Sequence, residues 1–226
     1  MRGRATLRLR TRRFFSCANV DAFRCEDFEK TFGDWPEAPS QNAGNVPVTS
    51  GDFSASPTHS ARAATGGGAQ FAGASIASAT HWMLRAQVFF KSSAPAVRAS
   101  DDAAIATELI RFEPSDAGLL RGLVSLTPSA DAGELLSVSV KLGTDSFLGN
   151  NFSIPLNRWL PLTFEISSGL AKKVSFSIGT SAVTTVLTTW ESGTAPRLFW
   201  GAFSAINVAG ADTIVYYDDL TLEALP

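Results

Sequence analysis

The residues best suited to chemistry stand at the two ends of the chain. Near the end, Tyr216-Tyr217-Asp218-Asp219-Leu220-Thr221-Leu222 places two adjacent carboxylates inside an apolar stretch. Near the start, Cys25-Glu26-Asp27-Phe28-Glu29 offers three more. At the period of two of a β-strand, Ile214, Tyr216, Leu220 and Leu222 point one way, and Asp218 shares that apolar face. A carboxylate facing a core is costly unless it is paired, protonated or metal-bound. Asp218 therefore needs a partner. The early acidic cluster is the candidate to stand beside it, which predicts that the first and last strands lie side by side.

Other reactive types are scarce. The chain has two histidines, His59 and His81, and two cysteines, Cys17 and Cys25, with no CxxC pair. A zinc site of ordinary spacing is excluded on that count. The two cysteines, eight apart, either close a short loop that pins the first strand or remain free thiols. Gly66-Gly67-Gly68 lacks the strand-to-helix setting of a phosphate loop and reads as a turn. No Gly-x-Ser-x-Gly elbow is present. Asp101 and Asp102 are adjacent, so on a strand they point to opposite faces and make no carboxylate pair.

Composition sets the class. Of 226 residues, 45% are hydrophobic and 18% charged, with 16 Phe and 5 Trp to fill a core. No apolar run is long enough for a transmembrane helix. The first 20 residues carry six Arg and no acid, whereas residues 21–226 hold 13 of the 19 basic residues against all 21 acidic ones, a net of −8. An acidic body argues against a nucleic-acid partner and tolerates a divalent cation. Residues 1–20 read as an Arg-rich disordered tail or the remnant of an export signal, since no apolar segment follows Arg12-Arg13-Phe14-Phe15.

Helix signals are nearly absent, and strand signals recur. His81–Phe90 puts Trp82, Leu84, Ala86, Val88 and Phe90 on one face. Similar patterns cover residues 107–113, 119–126, 134–142, 152–156, 159–166, 174–178, 183–188, 198–203 and 213–222, with short extended pieces at 46–49 and 60–64. Gly179-Thr180-Ser181 reads as a hairpin turn. Roughly a dozen strands without intervening helices predict an all-β jelly-roll sandwich of two antiparallel sheets over residues 21–226.

On strand rhythm and terminal motifs, the chain resembles the concanavalin A-like lectin/glucanase superfamily, in its laminin-G-like and carbohydrate-binding members. The resemblance rests on Asp27-Phe28-Glu29 with Trp35, on Asn157-Arg158-Trp159 leading into 160–166, on 174–178, and on Tyr216 to Leu222. It implies an extracytoplasmic, non-catalytic carbohydrate-binding or adhesion module, monomeric by default, with a poly- or oligosaccharide partner. It also implies a structural calcium held by Glu26, Asp27 or Glu29 with Asp218 or Asp219, oxygen ligands that a hard cation prefers. The alternative for Asp218 is hydrogen bonding from backbone amides or pairing with an Arg.

The catalytic branches of that superfamily fit less well. The Glu-x-Asp-x-x-Glu string of its glucanases is missing, as is the Gln-x-His motif of jelly-roll polysaccharide lyases. A lyase or hydrolase with a degenerate motif is the alternative function, and a purely structural surface domain the third. Opposite the expected core positions stand Arg85 and Gln87, Arg111 and Glu113, and Arg121, a set that could line one groove suited to sugar hydroxyls. Trp82 is expected in the core, and the placement of Trp159 is open. Trp190 and Trp35, in turn-rich surroundings, are the expected stacking rings, with packing over the sandwich end as the other possibility.

Overall fold

The computed structural model describes residues 17, 22, 24–29, 35, 46–56, 58–64, 70–76, 79–91, 105–113, 120–127, 135–142, 145–148, 157–168, 172–187, 196–204 and 214–225. Fourteen strands are present among them, and no α-helix. They are β1 (Arg24–Glu26), β2 (Val48–Ser50), β3 (Ser60–Ala64), β4 (Gln70–Ser75), β5 (His81–Lys91), β6 (Ile105–Glu113) and β7 (Leu120–Thr127). There follow β8 (Leu135–Leu142), β9 (Asp145–Leu148), β10 (Trp159–Ser167), β11 (Lys173–Ile178), β12 (Ser181–Val186), β13 (Arg197–Ser204) and β14 (Ile214–Leu225). The expected strand at 152–156 lies outside the described residues. Two strands escape the sequence pattern. β4 is built from small residues, and β9 is too short for alternation to register.

The strands form a jelly-roll sandwich of two antiparallel sheets. Sheet A has the order β12-β11-β10-β5-β14-β3-β2, with β1 added to β14, and sheet B the order β4-β13-β6-β7-β8-β9. The first and last strands do lie side by side, with Arg24 opposite Leu222 and Glu26 opposite Leu220. Gly179 begins the two-residue turn between β11 and β12 at φ 58°, the positive angle a II′ hairpin needs at that position. Cys17 and Cys25 form a disulfide, which ties the chain before β1 to β1 itself, the strand paired with β14.

Alternation delivers the core as period two requires. Trp82, Leu84, Ala86 and Val88 of β5 meet Leu160, Leu162, Phe164 and Ile166 of β10 and Val174, Phe176 and Ile178 of β11 in one buried cluster. Trp82 packs across the sandwich on Phe112, ring centroids 5.6 Å apart. Trp200 is the hub on the β13 side, touching Phe28 at 5.4 Å, Trp35 at 6.3 Å and Tyr217 at 5.2 Å. The Tyr217 hydroxyl crosses the core and donates to the carbonyl of Gly201, so its burial is satisfied and its ionisation is pushed well up.

β14 departs from the simple alternation. Asp218 is opposite Gln87 but Thr221 is opposite Arg85, so one residue is extra, and Asp219 takes φ 52°. This bulge reverses which face each side chain meets. Val215 and Tyr217 point to the core before it, and Leu220 and Leu222 after it. The expectation that Ile214, Tyr216, Leu220 and Leu222 share the core face with Asp218 is thus corrected. Tyr216 and Asp218 lie on the outer face of sheet A. The bulge falls where β14 changes neighbour from β3 to β1.

Candidate functional site

Asp218 is fully buried although it faces outward, because the loop at 51–56 folds over it. Its Oδ2 accepts the backbone amides of Ala55 (2.7 Å) and Ser56 (2.9 Å), and the Ser56 hydroxyl also donates to the carboxylate. Oδ1 takes the amide of Asp219 at 2.8 Å. Burial pushes this carboxyl above its usual range, against the pull of those amide donors. The partner foreseen among Glu26, Asp27 and Glu29 is therefore a loop backbone instead, the alternative that the sequence left open.

The early acids are committed elsewhere. Glu26 Oε1 accepts the amide of Phe28 at 3.2 Å, and Asp27 Oδ1 that of Glu29 at 3.4 Å. Glu29 turns to Thr58 and His59, accepting the Thr58 hydroxyl and the His59 amide. Among the described residues no three His, Cys, Asp or Glu side chains gather as a metal-holding group. A calcium held by Glu26, Asp27 or Glu29 with Asp218 or Asp219 would need several of their oxygens to converge on one point.

Asp219 is the unsatisfied member. Its Oδ1 is buried without a hydrogen-bond partner among the described residues. Burial, then the charge of Asp218, and more weakly that of Asp27, raise its pKa from 3.8 to about 6. A carboxyl whose folded pKa exceeds its unfolded value costs stability as pH rises through that window, and the cost is complete at neutral pH. Asp219→Asn keeps the shape, and Asn tolerates the left-handed backbone. The variant should gain on the order of 1 kcal/mol near pH 7, discounted for partial exposure, and nothing below about pH 4. Thermal melts across pH with and without calcium check this, and a calcium-dependent loss of stability in the variant would contradict it.

The outer face of sheet A is the surface these elements frame. In register across four strands lie Trp159, Phe89, Tyr216 and Arg62, a row about 14 Å long at ordinary strand spacing. Phe53 from the covering loop stacks on Phe89 at 4.7 Å and meets Tyr216 edge-on at 5.1 Å. Trp159 contacts Phe89 at 5.6 Å and is partly exposed, whereas Trp35, Trp82 and Trp200 are all buried. Below this row come Pro161 and Gln87, then Thr163, Arg85 and Thr221, then Glu165, Met83 and Glu223. Ser175, Ser177 and Thr184 extend the polar field on β11 and β12. Arg85 pairs with Glu223, and His81 with Glu165 at 2.8 Å.

Sheet B presents a different chemistry. Arg111 is 2% exposed and holds Glu108 at 2.6 Å, with Glu113 at 3.8 Å. Arg197 pairs with Glu113 in turn. The guanidinium of Arg111 lies over the Phe71 ring at 5.0 Å and that of Arg197 over Phe199 at 5.5 Å. Arg111 and Glu108 are buried as a pair, as buried charges must be, while Arg197 reaches the surface.

The expected ligand residues are therefore split. Arg85 and Gln87 sit on the outer face of sheet A. Arg111 and Glu113 belong to sheet B, where Arg111 is buried, so these four do not line one groove. Arg121 is the strand partner of Arg111 in sheet B, and its side chain lies outside the described residues. Trp35 is 1% exposed under the Arg24 guanidinium, a core ring rather than a stacking platform. Trp190 lies outside the described residues. Trp159 is the ring that sequence reasoning left open. Its odd position in a strand with even-numbered core residues already carries the signal.

No protein-family model matches the sequence, and no curated protein matches it either. Solved structures of similar fold do exist. Alginate lyase vAL-1 from Chlorella virus has a TM-score of 0.55 at 9% identity, covering 91% of this chain and 100% of that one. The CBM2 module of the Lactobacillus casei BL23 phage J-1 evolved Dit has a TM-score of 0.51 at 12% identity, covering 89% and 94%. Alginate lyase AlyC3, in complex with dimannuronate, has a TM-score of 0.50 at 11% identity, covering 74% of each chain. At such identities the likeness is one of fold: a jelly-roll β-sandwich.

Proposed function

We propose that this chain is a non-catalytic carbohydrate-binding module of an extracytoplasmic protein, related to the concanavalin A-like lectins. Its ligand lies on the outer face of sheet A. The observation that carries the reading is Trp159, a partly exposed ring beside a field of hydrogen-bonding side chains. An indole stacks on the apolar face of a pyranose, and Gln87, Arg85 and Thr163 supply donors and acceptors for hydroxyls at its side. The alginate lyases and the phage module of the same fold support the carbohydrate reading as analogy alone.

Affinity electrophoresis in polysaccharide-containing gels tests it. Trp159→Ala should weaken retention by about tenfold or more, the order expected for loss of a stacking ring. A melting temperature within a few degrees of the parent would show that the loss is one of binding. Retention unchanged in Trp159→Ala would move the site off sheet A.

The lyase alternative needs a guanidinium free to neutralise a uronate. Arg111 is held by Glu108 and Glu113, and Arg85 by Glu223. Absorbance from unsaturated uronates on incubation with alginate would favour that alternative. None is expected.

A further inference from the structure

We infer that the glycan taken by the sheet A face is uncharged, a neutral polysaccharide rather than a polyuronate or a sulfated chain. The inference rests on the carbohydrate-binding reading above and narrows it. Its ground is the way the cations of this face are spent.

Arg85, at the centre, is paired with Glu223. His81 is paired with Glu165. Lys91 lies over the Phe53 ring at 5.8 Å. Arg62 hydrogen-bonds the Tyr216 hydroxyl, which itself donates to Asp52 at 3.4 Å. Three carboxylates, Asp52, Glu165 and Glu223, thus stand on or beside the face among its cations Arg85, Arg62 and Lys91. Arg158 and Lys173 are further cations, at opposite ends of it. Arg158 directly precedes Trp159, and Lys173 faces Ser167, about 26 Å along β10 from that ring.

A polyuronate carries a carboxylate on every sugar. Laid along the face it would have to strip Arg85 from Glu223, leaving Glu223 and Glu165 facing like charge. Neutral hydroxyls require no such exchange. They donate to Glu165 and Glu223 and accept from Gln87 and from guanidinium N–H groups not aimed at Glu223. The wider field agrees, since residues 21–226 carry a net charge of −8 and repel a polyanion at long range.

The test uses the full chain in affinity gels with mixed-linkage β-glucan, galactomannan and arabinan as neutral probes, and alginate and polygalacturonate as acidic ones. Each gel is run at low and at high salt. The expected result is retardation by at least one neutral polymer, unchanged by salt, with binding to both polyuronates about tenfold weaker or absent. Stronger retardation by alginate or polygalacturonate, fading with salt, would overturn the inference yet leave the binding reading standing. No retardation by any probe would overturn both. A Glu165→Gln, Glu223→Gln variant releases Arg85 and removes two carboxylates from the face. It should gain salt-sensitive retardation by alginate while still melting cooperatively. If it folds and stays indifferent to alginate, the pairing is not what sets the preference, and the inference falls.

Discussion

Gly201→Ala should lower stability by about 3–5 kcal/mol, combining overpacking against immovable atoms with backbone strain. Gly201 takes φ 156°, and a Cβ built there would stand 1.9 Å from the Gln70 carbonyl oxygen and 2.9 Å from Phe71 Cα. Those atoms are backbone of β4, already fixed in its ladder with β13, so no side chain can swing aside. Relief would require β4 to part from β13. That would disturb the irregular step between Trp200 and Phe203 and the carbonyl that receives the Tyr217 hydroxyl. For a domain of this size, the expected fall in melting temperature is roughly 10 °C or more. Tyr217→Phe is the control for the hydroxyl alone, with an expected loss of about 1 kcal/mol. Equal melts for Gly201→Ala and the parent would show that β4 yields at little cost.

The second large effect belongs to Asp218. Its substitution by Ala removes the acceptor shared by the amides of Ala55 and Ser56 and by the Ser56 hydroxyl. Each buried donor left unpaired costs about 1–3 kcal/mol, and partial rehydration of the exposed Ala55 lowers the sum to about 3 kcal/mol. The loss should be local as well as global. With its anchor gone, the loop at 51–56 should lift, taking Phe53 off Phe89 and Tyr216. Amide exchange at Ala55 and Ser56 should accelerate far more than in the β5–β10 ladder. Since Phe53 roofs the row that includes Trp159, retention on a polysaccharide should also weaken. Unaltered exchange at both amides would mean that the loop holds without the carboxylate.

These two positions differ in how far they can be read in advance. Asp218 announces itself, because a carboxylate inside an apolar strand must be met by something. That its neighbours are the amides of a distant loop follows only from the bulge, which turns Asp218 outward just as β14 exchanges β3 for β1. Gly201 carries no signal in the chain, because its role depends on how closely β4 approaches.

The same division runs through the candidate site. Alternation alone settles that Trp82, Leu84, Leu160 and Leu162 face inward and that the chain is all-β. Period two is a local property, imposed by the geometry of a single strand. Which outward-facing residues share a surface is not local. Arg85 and Arg111 look equivalent along the sequence. Assignment to different sheets separates them, one exposed beside Glu223 and the other sealed between Glu108 and Glu113. Trp35 and Trp159 are likewise both tryptophans at the edge of a pattern. Tertiary packing buries Trp35 against Trp200 and leaves Trp159 partly open on sheet A, because sheet order and register are decided by contacts between residues far apart in the chain.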